Sequence, residues 1–175
     1  MKQNARVIVS FLVGLVLIPL LVVLYLAFGR PPVATADASL PFEAVIVQIP
    51  LQARIKREMP KSAAIPVNDE NLIAGAGIYE DKCEMCHGTR DTPAAIAKSM
   101  FPHAPQLWVK HRNGVVGVSD DPVGETYWKV KNGIRLSGMP AYGKILSETQ
   151  MWQVSLLLSV ADKPLPAEAA KTVGQ

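Results

Sequence analysis

An uncharged apolar stretch near the amino terminus limits what the first part of this chain can become. From Val7 to Phe28 the sequence reads VIVSFLVGLVLIPLLVVLYLAF, which is 22 residues without a charged side chain. As a helix it would be about 33 Å long, close to the roughly 30 Å hydrocarbon core of a bilayer. The stretch therefore predicts a transmembrane helix in contact with membrane lipid, in which Pro19 is tolerated at a kink.

A secretory signal peptide is the alternative interpretation of the same stretch. The apolar core of a signal peptide runs for about 7 to 15 residues, so this one is long for that purpose. Small residues at 34–36 and 36–38 could still serve as cleavage sites. We expect residues 1–29 to be a retained anchor, and cleavage stays open as the alternative.

Basic residues flank the apolar stretch unevenly and predict its orientation. Lys2, Arg6 and the free amino group precede it, whereas Arg30 is the only basic residue among the next twenty. Basic flanks tend to stay on the cytoplasmic side of a membrane. We therefore expect a single-pass protein of the bacterial inner membrane with a cytoplasmic amino terminus and everything after Arg30 in the periplasm.

The excess of positive charge is confined to the first part of the chain. Residues 1–68 hold seven Lys and Arg against three Asp and Glu, whereas residues 69–165 hold ten against eleven. The second region is nearly neutral and lacks the basic footprint of a nucleic-acid-binding domain. We expect no nucleic-acid partner.

A proline-rich segment, residues 30–68, follows the predicted anchor. It contains six prolines, and proline at this density interrupts both helices and sheet pairing. The segment therefore predicts an extended tether. Within it, FEAVIVQI at 42–49 has the composition of a strand, which could dock on the domain or on a partner.

Three helices are predicted in residues 69–165, which we interpret as the folded domain. The first covers Asp69 to about Lys82, where Asn68 can act as N-cap and two acidic residues begin the helix. The second covers Val123 to about Gly133 and ends at an Asn-Gly pair, which is typical of a left-handed stop. The third follows a capping-box pattern at 147–150 and runs from Met151 to Ala161.

Loops and a tail account for the rest of the chain. Residues 89–122 read as loops, without an alternating strand and helix pattern. Residues 166–175 are predicted to be a frayed tail. Leu72, Ala76 and Tyr79 share one face of the first helix with Cys83, which is thereby delivered to the core side.

The only two cysteines of the chain stand in the motif CEMCH at 83–87. A C-x-x-C pair serves as a redox dithiol, as half of a zinc site, or for haem attachment when His follows directly. A redox dithiol belongs in a βαβ context, which is missing here. Structural zinc usually has four Cys or His ligands with a second paired spacing, and only His103 and His111 remain. Haem attachment requires no further cysteine.

Haem chemistry assigns a role to both cysteines and to the histidine of CEMCH. Two thiols on one turn can form thioethers to the two vinyl groups of one porphyrin, while the next imidazole reaches the iron. Cys83 and Cys86 are thus candidate covalent anchors of one haem c, and His87 is the candidate proximal ligand. A disulfide in an exported protein is the alternative.

From about Asn71 to Val160 the chain resembles the class I c-type cytochromes. The resemblance rests on CEMCH and on GMPAYG at 138–143, set between an N-terminal and a C-terminal helix. It implies an all-α domain of about three to five helices around one covalent haem, here preceded by one transmembrane helix and a tether. It also implies Met139 as the second axial ligand of the iron and haem attachment on the outer side of the membrane. Met/His ligation raises the reduction potential relative to two imidazoles.

Four other side chains compete with Met139 for the iron. Met85 lies between the anchoring cysteines and Met100 precedes a proline-containing loop, and each is more often core filler. His103 or His111 would give an iron with two histidine ligands, but neither stands in the position that the family uses. Met139 is our choice.

The resemblance extends to PQL at 105–107 and to the helix crossing. It implies that the carbonyl of Pro105 accepts a hydrogen bond from His87, and we include Leu107 among the residues that bind haem. Gly75 and Tyr79, facing Trp152 or Leu156, resemble the close crossing of the first and last helices in the family.

Two further side chains are candidates for a haem propionate. The indole N–H of Trp128, or the guanidinium of Arg135, could reach this group. Core packing is the alternative explanation for Trp128, and solvent exposure is the alternative for Arg135.

These features predict an electron carrier rather than an enzyme. An iron with both axial positions filled leaves no site for a small-molecule substrate, so redox proteins are the expected partners. A flexible tether of about 38 residues would have an r.m.s. reach of about 31 to 37 Å, enough to shuttle between respiratory or dehydrogenase complexes. A fixed haem subunit of an oxidoreductase complex is the alternative, and a ligand-binding haem sensor or peroxidase is a third hypothesis.

Overall fold

The protein was analysed as a computed structural model that describes residues 2–111 and 113–174. Helices dominate the described chain, which contains no strand beyond one isolated bridge between Lys110 and Val116. The predicted all-α class is therefore confirmed. The chain divides into two compact units, residues 1–41 and 42–175.

The first unit consists mainly of helix α1, Lys2–Phe28, with Pro19 inside it. Its residues Asn4–Phe28 are long and apolar enough to cross a membrane, and none of this span is buried within the protein. This is the exposure expected of a helix whose solvent is lipid. The helix is compatible with a single-pass membrane anchor.

The second unit begins with a helix where the sequence predicts an extended tether. Helix α2 covers Glu43–Glu58 and contains Pro50. The expectation of a strand at 42–49 is therefore wrong, and so is the expectation that the whole of 30–68 is extended. Ile55 of α2 is only 1% exposed. Packing of this side chain against the domain stabilises the helix, although the proline content of the segment disfavours helix formation.

Helices α3, Asp69–Lys82, and α4, Glu84–His87, follow, and a 3₁₀ helix covers Ala95–Ser99. The predicted start of α3 is confirmed, because the side chain of Asn68 accepts a hydrogen bond from the backbone N–H of Asn71 at 2.9 Å. This bond satisfies one of the free N–H groups of the first turn.

The next two helices agree with the sequence prediction. Helix α5 covers Val123–Asn132 and ends at Gly133, as predicted, but the φ of 65° and ψ of −178° at Gly133 are an extended conformation open to glycine rather than the predicted left-handed helical one. Helix α6 covers Glu148–Ser159, and the capping box of Ser147 and Gln150 is present. Local side-chain chemistry is enough to set these ends.

A last helix, α7, Ala167–Thr172, replaces the predicted frayed tail. Ala169 and Val173 are fully buried and belong to the core cluster, which also contains residues of α3 and α6. The backbone N–H of Arg90 donates to the carbonyl of Val173 at 2.8 Å. The tail prediction is wrong because Ala169 and Val173 are buried in the folded core, and no local sequence pattern indicates this contact.

The centre of the domain is the crossing of α3 and α6. A side chain on Gly75 would meet the backbone of Gln153, so only glycine permits this close approach. Tyr79 is fully buried, and the rings of Tyr127 and Trp152 stack with centroids 4.0 Å apart. The crossing holds the end of α3, and therefore the CEMCH motif, at a fixed place.

Candidate functional site

The CEMCH motif forms a single turn of helix directly after α3. The backbone N–H groups of Cys86 and His87 donate to the carbonyl of Cys83 at 3.1 and 2.9 Å. The turn ends at Gly88, whose φ of 74° and tight surroundings require glycine. The buried hydroxyl of Tyr79 donates to the Gly88 carbonyl at 2.6 Å, which ties the turn to the crossing of α3 and α6.

The imidazole of His87 is oriented by the carbonyl of Pro105. Nδ1 lies 2.7 Å from this oxygen, and since a carbonyl only accepts, Nδ1 carries the proton. The lone pair is therefore on Nε2. Burial lowers the pKa of His87 below its ordinary value, although the hydrogen bond to Pro105 opposes the shift. The ring is neutral at pH 7, which is the form that binds metals.

The side chain of Gln106 links the CEMCH turn to the loop that follows it, a role that the sequence analysis did not identify. Its side-chain amide donates to the carbonyl of Cys86 at 3.2 Å and accepts from the N–H of Ala94 at 2.6 Å. The neighbouring Leu107 N–H donates to the carbonyl of His87 at 3.2 Å. The segment PQL was recognised for its proline, but nothing local indicates that the glutamine bridges Cys86 and Ala94, which both lie earlier in the chain.

A loop after α5, residues 133–143, carries Met139 and is called the Met139 loop below. The N–H of Met139 donates to Oγ of Ser137 at 3.2 Å, and that hydroxyl donates to the carbonyl of Ile134 at 2.7 Å. The Tyr142 hydroxyl donates to the carbonyl of Lys82 at 2.7 Å. This last bond joins the Met139 loop to the end of α3, just before Cys83.

One cleft collects the CEMCH turn and the Met139 loop. It has a volume of about 200 Å³, and most of its walls are apolar. Helices α5 and α6 contribute Thr126, Val130, Val154 and Leu158. The predicted site residues that line the cleft are Cys83, Cys86, His87, Pro105, Leu107 and Met139.

The competing ligand candidates divide into two groups. Met100 and His103 line the cleft, and the Met100 methyl group lies against Gly138 beside Met139. Met85 is 74% exposed and His111 is not among the lining residues. Two of the four alternatives therefore share the cleft with Met139.

Trp128 is not where the sequence interpretation puts it. It does not line the cleft, and its indole N–H donates to Oε2 of Glu58 in α2 at 3.0 Å. The guanidinium of Arg54 lies 5.8 Å from the centre of the indole ring. The only hydrogen-bond donor of the Trp128 side chain is thus used by α2, which leaves none for a haem propionate in this arrangement. Arg135 also lies outside the cleft lining.

Two lysines border the cleft, and each is paired with acidic side chains. Nζ of Lys129 lies 2.6 Å from Glu125 and 3.6 Å from Asp121. Burial raises the pKa of Asp121 above its ordinary value, with the charge of Lys129 acting in the opposite direction. Lys82 at the other side pairs with Asp81 at 2.9 Å. Neither lysine is a free positive charge at the cleft.

Haem c fits the donor set that the cleft presents. Burial raises the pKa of the Cys83 thiol to about 12, so in the absence of a bound metal it is an uncharged thiol at neutral pH. Within residues 2–111 and 113–174, no three His, Cys, Asp or Glu side chains cluster as a metal site would require. Two thiols, one imidazole with a lone pair on Nε2 and one thioether in an apolar cleft are the groups that c-type haem uses.

An all-helical domain with this donor set is the arrangement found in c-type cytochromes. Residues 70–156 match the family model described as cytochrome c oxidase, cbb3-type, subunit III. This region runs from the first turn of α3 into α6 and includes every residue that lines the cleft except Leu158, so this part of the chain belongs to the class I c-type cytochromes. Comparison with the curated proteins and with the solved structures gives no significant match. Haem-based electron transfer between redox proteins is the activity that this class performs.

Proposed function

We propose that this protein is a membrane-anchored carrier of single electrons with one covalent haem c. Cys83 and Cys86 hold the haem through thioethers, and His87 and Met139 are its two axial ligands. When bound, the haem supplies a one-electron iron couple that redox partners reach at its exposed edge. The protein is not itself an enzyme under this proposal, because its own side chains fill both axial positions.

The residues around the axial ligands tune them in different ways. Pro105 keeps the proton of His87 on Nδ1, so that Nε2 faces the metal as a basic and oriented ligand. Ser137 fixes the backbone of Met139, and Tyr142 ties the Met139 loop to α3. Apolar side chains such as Leu107 and Val154 exclude water from the cleft, which lowers the local dielectric and favours the less charged reduced state.

The observation that carries the proposal is the shared cleft. Cys83, Cys86 and His87 lie within five consecutive residues, whereas Met139 is 52 residues beyond His87. The fold nevertheless brings all four to one apolar space. That assembly is what covalent attachment with two protein axial ligands requires.

A visible absorption spectrum of the matured holoprotein tests the ligand assignment. The oxidised protein should show the weak far-red band of iron–sulfur ligation, and the reduced protein should not bind carbon monoxide. Met139→Ala should abolish the band and allow carbon monoxide to bind. Met100→Ala is the matched control, since it removes a thioether from the same cleft and should leave both properties unchanged. Loss of the band in Met100→Ala instead would assign the iron to Met100.

Mass spectrometry tests attachment and stoichiometry. The denatured protein should retain the mass of one haem, and Cys83→Ser or Cys86→Ser should leave a single thioether. Release of the haem from the wild-type protein on denaturation would contradict the covalent model.

The proposed location is the periplasmic side of the bacterial inner membrane, with α1 as a retained anchor. The uneven basic flanks of α1 and the extracytoplasmic attachment of c-type haem support this orientation. The haem protein should stay with membranes after carbonate washing, and added protease should reach its haem domain in intact spheroplasts. A haem protein of full length in the soluble fraction would contradict the anchor.

A fixed subunit of an oxidoreductase complex is the second candidate. The matched family model carries the description of an oxidase subunit, and docking of α2 leaves only residues 29–42 as the connection after α1. A flexible connection of this length has an r.m.s. reach of about 20 Å, which restricts shuttling. Purification in mild detergent separates the candidates, because a carrier should purify alone and a subunit should bring stoichiometric partners.

A further inference from the structure

The first half of α2 exposes an unusual number of apolar side chains. Val45, Ile46 and Ile49 are 54%, 66% and 64% exposed, and Phe42 just before the helix is 78% exposed. Glu43 is the only charged residue in 42–53. A soluble helix normally shows its apolar residues to the core and covers the rest with polar side chains. A contiguous exposed apolar surface of this kind marks an interaction site.

These side chains lie on the face of α2 that points away from the domain. Ile55, the buried residue of α2, and Glu58, which accepts the hydrogen bond from Trp128, define the face that docks on α5. Val45 and Ile49 are one turn apart and lie on a different face, which continues three turns later as Lys56. Ile46 is related to Arg57 by the same spacing. The outer face of α2 is therefore apolar at its start and basic at its end.

We propose that this outer face lies on the surface of the lipid bilayer. Val45, Ile46 and Ile49 enter the boundary between headgroups and acyl chains, and Lys56 and Arg57 contact the phosphates of the headgroups. Apolar side chains that enter the interface and basic side chains that reach anionic headgroups are the features by which helices bind membrane surfaces. The proposal rests on α1 being a retained anchor.

The position of α2 in the chain favours lipid over other occupants. Residues 29–42 connect the end of the apolar span at Phe28 to the start of α2. Even fully extended, this connection reaches only about 50 Å, so α2 stays close to the membrane that α1 crosses. A second copy fits less well, because parallel α2 helices would bring Lys56 and Arg57 together with their counterparts. Antiparallel helices would set these charges against the apolar end.

Contact of α2 with lipid would orient the haem domain. The indole of Trp128, the carboxylate of Glu58 and the buried side chain of Ile55 fix α2 on α5. A helix that is bound to the membrane on one face and to the domain on the other limits rotation of the domain. The cleft would then face a restricted set of partners.

Spin labelling of the full-length holoprotein in vesicles tests the proposal. With Cys83 and Cys86 in thioethers, a cysteine introduced at Ile46→Cys is the only free thiol for a nitroxide. The protein is reconstituted in phosphatidylcholine and phosphatidylglycerol vesicles, and relaxation of the label by oxygen is compared with relaxation by a water-soluble nickel complex. Gln48→Cys is the matched control, because Gln48 is also exposed and lies about 200° further around the same helix.

The expected result is that oxygen relaxes the label at 46 more strongly than the nickel complex does, and that the order is reversed at 48. Equal access of the nickel complex to both labels would overturn the proposal in favour of a solvated helix. Exclusion of both reagents from the label at 46 would overturn it in favour of contact with a second copy, since no other protein is present. Failure of the protein to float with the vesicles would overturn the anchor and the proposal together. Haem ligation is read separately from the visible spectrum, so a wrong ligand assignment leaves the label result interpretable.

Discussion

Two helix contacts in this protein differ in how many buried residues they involve. The crossing of α3 and α6 is built on Gly75 against the backbone of Gln153 and continues into the buried Tyr79 and the stacked Trp152. The contact of α2 with α5 consists mainly of the buried Ile55 and the hydrogen bond that Trp128 donates to Glu58. Just after α2, the backbone of Pro60 approaches Gly124 of α5 closely.

The difference shows that one buried residue can dock a helix on the domain although the helix is not part of the hydrophobic core. The α3 and α6 crossing is continuous with the residues that hold the CEMCH turn, through the bond from Tyr79 to Gly88. Helix α2 is attached only by its last turns, and its first half is exposed. We therefore expect α2 to detach in a local opening, whereas the crossing opens only when the whole domain unfolds.

The largest effect is expected from Trp152→Ala in the crossing. Trp152 is buried and stacks on Tyr127, so its truncation removes a large apolar contact and leaves a cavity. We expect the free energy of unfolding of the holoprotein to fall by about 3 to 5 kcal/mol. Urea unfolding followed by circular dichroism in the haem absorption band measures it. A loss below about 1 kcal/mol would show that the crossing does not hold the domain.

The next effect compares two glycines of the same helix. Gly75→Ala places a methyl group against the Gln153 backbone and should destabilise the domain by about 1 to 3 kcal/mol. Gly77→Ala is the matched control, because nothing lies within 4 Å of the added atom. It should stabilise the protein by about 0.4 to 1 kcal/mol, since alanine reduces the entropy of the unfolded chain. Equal effects of the two variants would contradict the close crossing.

A smaller effect on the domain is expected from Ile55→Ala in α2. The substitution removes the main buried contact between α2 and α5. Amide hydrogen exchange in residues 51–59 should become faster, while the free energy of unfolding of the haem domain changes by less than about 1 kcal/mol. If the domain loses several kcal/mol instead, α2 is an integral part of the core and the contrast between the two contacts fails.

The smallest effect concerns the pH dependence of the α2 contact. Hydrogen bonds from Arg54 and then from Trp128 hold the pKa of Glu58 below its ordinary value of 4.5. Arg54 belongs to α2 itself, so only the bond from Trp128 depends on docking. The part of the lowering that comes from Trp128 favours docking above the ordinary pKa of Glu58, and this advantage is lost as the pH falls through the lowered value. The indole N–H resonance of Trp128 in the reduced protein should therefore shift below about pH 4.5. Glu58→Gln should abolish this titration, and an unchanged titration in that variant would show that another group is responsible.

The sequence predicted those parts of the fold that depend on neighbouring residues. The N-cap at Asn68, the capping box at Ser147 and the glycine stop at Gly133 each involve groups within a few positions, and the structure has all three. The all-helical class is confirmed by the structure, and the c-type cytochrome resemblance is confirmed by the match to the family model. Local hydrogen bonds leave a readable pattern because their partners have a fixed spacing.

The sequence interpretation failed where a segment is held by distant residues. Proline density and apolar composition at 30–68 predicted an extended tether, but α2 is held by Trp128, whose partner Glu58 is 70 positions away. Trp128, which donates this bond, does not line the cleft. The tail was predicted to fray, but α7 buries Ala169 and Val173. In each case the partner could be known only after the core had formed.

The sequence alone therefore determined the apolar span, the CEMCH turn and the ends of α3, α5 and α6, because contacts over a few residues specify them. Only the tertiary structure decided the positions of α2 and α7, the partner of Trp128, and the bridge that Gln106 makes between Cys86 and Ala94. It also decided which of several methionines and histidines share the cleft with His87. Burial and long-range hydrogen bonds determine these features, and their energies depend on surfaces that exist only in the folded protein.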